Sequence, residues 1–263
     1  WDDISIDTLL AQNDLETRWK FNIPSLCRRV EGVNAGHLIE IGARSNVGKT
    51  SFHASMVASP QGFAAQGASC MILCNEEGSP RVGARYLQAC TGMTLMQIKE
   101  NPKAAWDRYG KIRNNILLKD VTGKDMGWVE SVCKSYKPDV VVLDMGDKFA
   151  TTQGFARTDE ALKANVVYAR QIAKMYECAM FYMSQLSADA EGKVQLNQAM
   201  MEGSRTGKAA EADLMILIAK NPPLEGEDEE SSQRHLNVVK NKLSGWHGIV
   251  HCELDYKTAR YTA

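Results

Sequence analysis

The residues Ala43-Arg44-Ser45-Asn46-Val47-Gly48-Lys49-Thr50 set a small residue, four variable ones and then Gly-Lys-Thr directly after the apolar run "HLIEIG". A tight loop between a strand and a helix aims its backbone N–H groups, and those of the helix N-terminus opened by Ser51, at a single point where phosphate oxygens can sit. In that setting Lys49 adds a positive charge for the β/γ-phosphates, and the Thr50 hydroxyl is a Mg²⁺ ligand. The competing reading is a chance match on a Gly-containing turn. The apolar run before the loop and the breaker-poor "SFHASMVASP" after it favour a site for ATP.

Three strand ends supply further chemistry. "PDVVVLDMGD" is an apolar strand that ends in Asp144. In a parallel sheet that end lies beside the phosphate loop, where Asp144 can hold Mg²⁺ through water. "CMILCNEEGSP" ends in Asn75-Glu76-Glu77. A carboxylate there can orient the water that attacks the γ-phosphate. Glu76 is preferred to Glu77 because it is nearer the strand end, and the alternative is a pair of loop acids capping the helix that begins near Pro80. In "MFYMSQLS", Gln185 follows a buried strand. Its amide can contact the γ-phosphate and report its presence to the loop beyond, or it can simply bond to backbone.

These groups need a parallel sheet to bring them together, and the chain alternates in the required way. Strand candidates are "HLIEIG", "CMILC", "ILLKD", "DVVVLD", "MFYMS", "LMILIA", "HLNVVK" and "IVHCELD", with helical stretches between the first five. Near-continuous apolar runs such as Val140 to Leu143 suit central strands covered on both faces. The last three candidates follow closely on one another, so the expected fold is a three-layer α/β domain, mainly parallel, with a C-terminal antiparallel edge. Residues 1 to about 19 form an amphipathic arm before it, with Ile6, Leu9 and Leu10 at helical spacing. The acidic run Glu225 to Gln233 reads as a solvated hairpin loop.

Bulk properties narrow the setting. A chain of 263 residues can bury a large core. No apolar run approaches the roughly eighteen residues of a membrane span, so no membrane partner is expected. The acidic start "WDDISIDTLL" is unlike a signal peptide, and the missing initiator Met suits a piece of a longer chain. Seven scattered cysteines, an odd number without CxxC spacing, suit free thiols in a reducing compartment such as the cytoplasm. A net charge of −1 leaves any nucleic-acid surface to a local basic patch.

The ordered set of phosphate loop, Glu76, Asp144 and Gln185 resembles the RecA-like motor domain of the DnaB-family replicative hexameric helicases, including the phage primase-helicases. The lead-in "FNIPSLCRRVEGVNAGHLIEIGARSNVGKTSF" is similar to that family's approach to the loop. "RVGARYLQACTGMTLMQIKE", "EADLMILIAKNP" and "VVKNKLSGWHGIVHCELDYKTARY" continue the likeness over about residues 20 to 263. The resemblance implies that Lys49, Thr50, Asp144 and Glu76 match the hydrolysis residues and that Gln185 matches the γ-phosphate sensor. It also implies a Lys-x-Arg pair inserted into the ATP site by a neighbouring subunit. Lys240 fills the first position, but Lys242 stands where the family usually has an arginine finger, and an ammonium cannot bind phosphate in the planar bidentate way.

By the same resemblance, "KVQLNQAMMEGSRTGKAAEAD" covers the central DNA-binding loops, although the family's motif there is not matched letter for letter. Backbone N–H groups and cationic tips can track the phosphates of a single strand without reading bases, and Ser204, Arg205, Thr206, Gly207 and Lys208 are the expected contacts. The implied assembly is a homo-hexameric ring on single-stranded DNA. A primase, loader or polymerase partner is compatible with it. Two other readings stay open: a filament-forming RecA- or RadA-like recombination ATPase, and a KaiC-like regulatory ATP-binding protein.

Overall fold

A computed structural model describes residues 17–151, 154, 157–203, 207–222 and 231–262. The N-terminal arm up to residue 16, the acidic stretch 225–230, and Ser204, Arg205 and Thr206 lie outside these residues.

The described chain is built on one nine-stranded sheet, ordered β11-β10-β9-β8-β3-β7-β6-β4-β5. Its parallel part holds β3 (Leu38–Ala43), β4 (Cys70–Cys74), β5 (Ile116–Asp120), β6 (Val140–Asp144), β7 (Ala179–Gln185) and β8 (Leu214–Lys220). Then β9 (Gln233–Asn241), β10 (Gly248–Asp255) and β11 (Arg260–Thr262) run antiparallel. All eight strands expected from the sequence are present, together with the antiparallel edge. β11 adds a ninth to this sheet, and β1 (Trp19–Lys20) with β2 (Gly32–Val33) forms a separate two-stranded ribbon.

Every residue of β3, β4 and β6 is buried. The apolar runs of these strands are therefore packed on both faces, as central parallel strands require. One face lies under α1 (Pro24–Val30), α2 (Lys49–Ala58) and α3 (Ser79–Thr91), and its core includes Leu26, Phe52 and Tyr86. The other lies under the later helices α6 (Met126–Tyr136) and α7 (Thr158–Met175), with Val129, Val166 and Tyr182 in its core. Between these groups come α4 (Leu95–Glu100), whose Thr94 and Gln97 form a capping box, and α5 (Pro102–Tyr109). The short helix α8 (Gly207–Glu211) precedes β8. All seven cysteines are free thiols, and no described helix is long and apolar enough to cross a membrane.

β3 lies between β7 and β8. Its C-terminal residue Ala43 pairs with Gln185 and with Ile218, while Cys74 pairs with Asp144. The register alone therefore brings the phosphate loop, the Asp144 strand end, the Glu76 turn and Gln185 to one edge of the sheet.

Candidate functional site

The loop after β3 turns through Asn46 and Gly48, which have φ values of 59° and 111°. Gly48 cannot be replaced at ease. A Cβ there would lie 2.6 Å from Leu254 Cδ2 and 2.8 Å from the Tyr261 hydroxyl, in a backbone conformation that L side chains rarely adopt. The loop is braced from behind: Arg234, fully buried, donates from Nε to the Val47 carbonyl at 2.8 Å, and Tyr261 donates its hydroxyl to the Gly48 carbonyl at 3.2 Å. No side chain caps the N-terminus of α2. Its first-turn N–H groups are thus left to an anion, which the helix dipole also favours.

A cleft of about 410 Å³ opens over this loop, lined by Lys49 and Thr50 and by both Glu76 and Glu77. Thr50 donates its hydroxyl to Asp144 Oδ2 at 3.2 Å. The same oxygen lies 3.0 Å from His53 Nε2, whose other ring nitrogen is 2.8 Å from the Tyr86 hydroxyl. Burial disfavours the charged form of Asp144, but His53, Lys49 and Thr50 outweigh it and hold the carboxyl below its ordinary range. Asp144 Oδ1 is buried with no hydrogen-bond partner. An ionised carboxylate with an unused oxygen beside a threonine hydroxyl is an all-oxygen donor set that fits Mg²⁺. Burial also lowers the pKa of Lys49, against the pull of Glu76, Asp144 and Asp147 and with the help of Lys148. A polyphosphate would add negative charge beside this ammonium and offset the cost of its burial.

Glu76 Oε1 accepts from Lys148 Nζ at 3.0 Å, and Glu77 Oε2 accepts from Arg85 at 2.7 Å. Both carboxylates face the cleft, so position alone does not separate them. Gln185 donates from Nε2 to Ser45 Oγ of the phosphate loop at 3.1 Å, which places it in direct contact with the site. Arg44 also borders the cleft, while its guanidinium donates to Glu191 at 2.9 Å and to the Leu186 carbonyl at 3.0 Å.

Lys240 and Lys242 lie outside this cleft. Lys240 pairs with Met215, which pairs with Glu40 near the start of β3, and the Lys242 N–H donates to the Asp213 carbonyl at 2.7 Å. Lys242 is level with the start of β3, about 17 Å from the loop end of that strand at about 3.3 Å per residue, and Lys240, level with Glu40, is about 10 Å from it. Neither lysine is among the residues that line the cleft.

Lys208 corrects an expectation. It does not project as a cationic tip but is completely buried, with Nζ 2.6 Å from Asp147 Oδ1 and 3.3 Å from Ser184 Oγ. A nearby carboxylate holds the ammonium inside the protein, so it offers no charge to a strand outside. Gly207 opens α8.

Sequence reasoning missed four residues here: His53, Tyr86, Arg234 and Tyr256. Tyr256 lines the cleft, with the Arg234 guanidinium 4.9 Å from the centre of its ring. Among the four, only an aromatic in the "LDYKTARY" segment was a usable signal, because the others act through partners remote in sequence.

The model of the DnaB-like helicase C-terminal domain family matches residues 20–263. A solved structure of a DnaB-like replicative helicase, described with its interactions with primase, superposes with a TM-score of 0.81 at 18% identity, covering 99% of this chain and 67% of that one. A second solved structure, described as an ATPase domain, superposes with a TM-score of 0.83, also at 18% identity, covering 99% of each chain. At that identity the two structures speak for the fold. No curated protein sequence matches the chain.

Proposed function

Because this chain belongs to the DnaB-like helicase C-terminal domain family, we propose that it is an ATP-hydrolysing motor that moves along single-stranded DNA and separates duplex as a hexameric ring. The observation that carries this reading is the cluster of Lys49, Thr50 and Asp144, with an unpartnered Asp144 oxygen, at the mouth of a phosphate loop.

In this reading the N–H groups of the loop and of α2 bind the phosphates of ATP, and Lys49 supplies charge to the β/γ end. Mg²⁺, held by Thr50 and through water by Asp144, would neutralise charge on the phosphates. Glu76 orients the attacking water, for which it must leave Lys148, and Gln185 senses the γ-phosphate. Tyr256 offers an aromatic wall for the base. Lys240 and Lys242, remote from their own cleft, serve the cleft of the next subunit. Lys242 stabilises transition-state charge there as a point charge, without the bidentate fork of arginine. Residues 1–19 act as the arm that grips an adjacent subunit.

Ser204, Arg205, Thr206 and Gly207 are the proposed strand contacts, made through backbone N–H groups and the one guanidinium. Six copies around a channel would concentrate enough positive charge for a chain whose net charge is only −1. A primase is a candidate partner, since one structural relative is described with its interactions with primase. The test is ATPase turnover with and without single-stranded DNA, using Lys49→Ala as the control. DNA-stimulated turnover that this substitution abolishes is the expected result. Turnover indifferent to DNA favours a regulatory ATP-binding protein instead.

A further inference from the structure

A second cavity, of about 660 Å³, lies at the C-terminal ends of α2 and α3 and is larger than the cleft over the phosphate loop. Lys49 opens α2 at the cleft and Ala58 ends it at this cavity, about 15 Å away at about 1.5 Å per residue. Three cations reach the cavity from two distant parts of the chain: Arg108 near the end of α5, Lys111 just after it, and Arg260 at the start of β11. Ile112 gives it an apolar wall, and Asn115 is fixed there by donating to the Ala64 carbonyl at 2.9 Å.

The two guanidiniums are held side by side on successive carbonyls at the end of α3. Arg260 donates from Nε to Ala89 at 2.8 Å and from Nη2 to Cys90 at 3.0 Å, and Arg108 donates from Nη1 to Thr91 at 2.6 Å. Gly92 makes room for them: a Cβ there would lie 2.6 Å from Arg260 Nη1. No acidic residue lines the cavity, and among the described residues none of the three cations forms an ion pair. The carboxylate of Asp255, which acts on Arg260, is taken up by the Lys257 N–H at 2.9 Å and the Thr258 hydroxyl at 2.6 Å.

Capping α3 explains part of this arrangement. The end of a helix carries only about half a negative charge, which suits one cation and not three. Like charges brought together repel, and burial adds to the cost. Burial lowers the Arg260 pKa and Arg108 lowers it further, against the pull of Cys90 and Asp255. A multivalent anion would offset both costs, and guanidinium forks suit phosphate oxygens. The volume falls within the range of small-molecule sites, about 300–1,000 Å³.

We propose that this cavity is a second phosphate site, separate from the ATP cleft, which takes a small molecule bearing a diphosphate group on Arg108, Lys111 and Arg260. The N–H groups not spent on α3 and the Lys111 ammonium bind the phosphate oxygens, and Ile112 covers the body of the ligand. Three cations match the charge of a diphosphate better than that of a single phosphate, which carries about −1.5 to −2.

The test is calorimetric titration of inorganic pyrophosphate, without Mg²⁺, into Lys49→Ala, which disables the phosphate loop. One equivalent should bind per chain. Arg108→Gln/Lys111→Gln on the same background should weaken binding by about tenfold or more, since hydrogen bonds to charged groups are lost. Lys111→Gln alone breaks no bond to α3 and should weaken it in the same direction, so the test holds even where losing Arg108 unsettles the fold. Lys103→Gln, an exposed lysine of α5 outside the cavity, should leave binding unchanged. No saturable binding to Lys49→Ala overturns the proposal. Binding that survives loss of both Arg108 and Lys111 overturns it as well, because the anion then sits elsewhere. Equal weakening by Lys103→Gln also overturns it, because that marks diffuse surface charge.

Discussion

His53 Nε2 lies 3.0 Å from Asp144 Oδ2, with both side chains only 1% exposed. The imidazole is a clamp between the Tyr86 hydroxyl and the carboxylate proposed to serve the metal. His53→Ala should leave both partners short of a bond, costing about 1–3 kcal/mol per unsatisfied buried group. It should also raise the Mg²⁺ needed for half-maximal ATPase by about tenfold, since groups that orient ligands tune affinity on that scale. Urea denaturation and a Mg²⁺ titration check the two effects. An unchanged Mg²⁺ requirement in a destabilised protein would confine His53 to packing.

The neighbouring acids Glu76 and Glu77 have different partners, Lys148 and Arg85. Glu76→Gln should retain nucleotide binding and lose most turnover, whereas Glu77→Gln should leave turnover within a few-fold of wild type. Fluorescent-nucleotide binding and single-turnover hydrolysis on both variants separate the roles. Dead Glu77→Gln beside active Glu76→Gln would exchange them.

Glu40 is fully buried beneath the site. Burial raises its pKa to about 7, against the smaller pull of Lys208. The folded state thus holds a proton that the unfolded chain releases at lower pH. The stabilising contribution is complete below the unfolded pKa and is lost as pH rises toward 7. Glu40→Gln, which keeps an oxygen for Ser184, should match wild type near pH 4.5 and exceed its stability at pH 8 by about 3 kcal/mol. Denaturant midpoints at the two pH values decide this; equal gaps at both would mean that Glu40 does not titrate in this range.

Lys242 is exposed and stands at the sheet end remote from its own cleft. If it acts across a subunit boundary, Lys242→Ala should lower turnover without loosening nucleotide binding. An arginine acting in trans is worth about 10³–10⁵ in rate, and the lysine should supply part of that. Rings mixed from Lys242→Ala and Glu76→Gln subunits should regain activity, because some interfaces then pair an intact Glu76 with an intact Lys242. No recovery in confirmed mixed rings would place Lys242 outside catalysis.

The phosphate loop and the strand ends at Glu76, Asp144 and Gln185 were legible because each is local. A short apolar run followed by a polar residue states both the strand and the place where it stops. The parallel order then did the rest, pairing Cys74 with Asp144 and Ala43 with Gln185. Lys208 was misread because a lysine in a Gly- and Ser-rich stretch carries no sign of Asp147, 61 residues earlier, which draws it inside. The same limit hid His53 and Arg234, whose partners Asp144 and Val47 are 91 and 187 residues away in sequence. β11, with three residues, and the two-residue strands β1 and β2 are too short to show a period.

Strand separation is the most direct test of the motor itself. A forked DNA substrate with one labelled strand is incubated with the chain and MgATP, and the released strand is measured over a range of protein concentrations. Release should require ATP hydrolysis and a single-stranded tail, rise steeply with protein concentration as rings assemble, and vanish with Lys49→Ala. Steady ATP hydrolysis with no strand released at any concentration, on forks with either tail, would contradict the assignment of a DNA-unwinding motor.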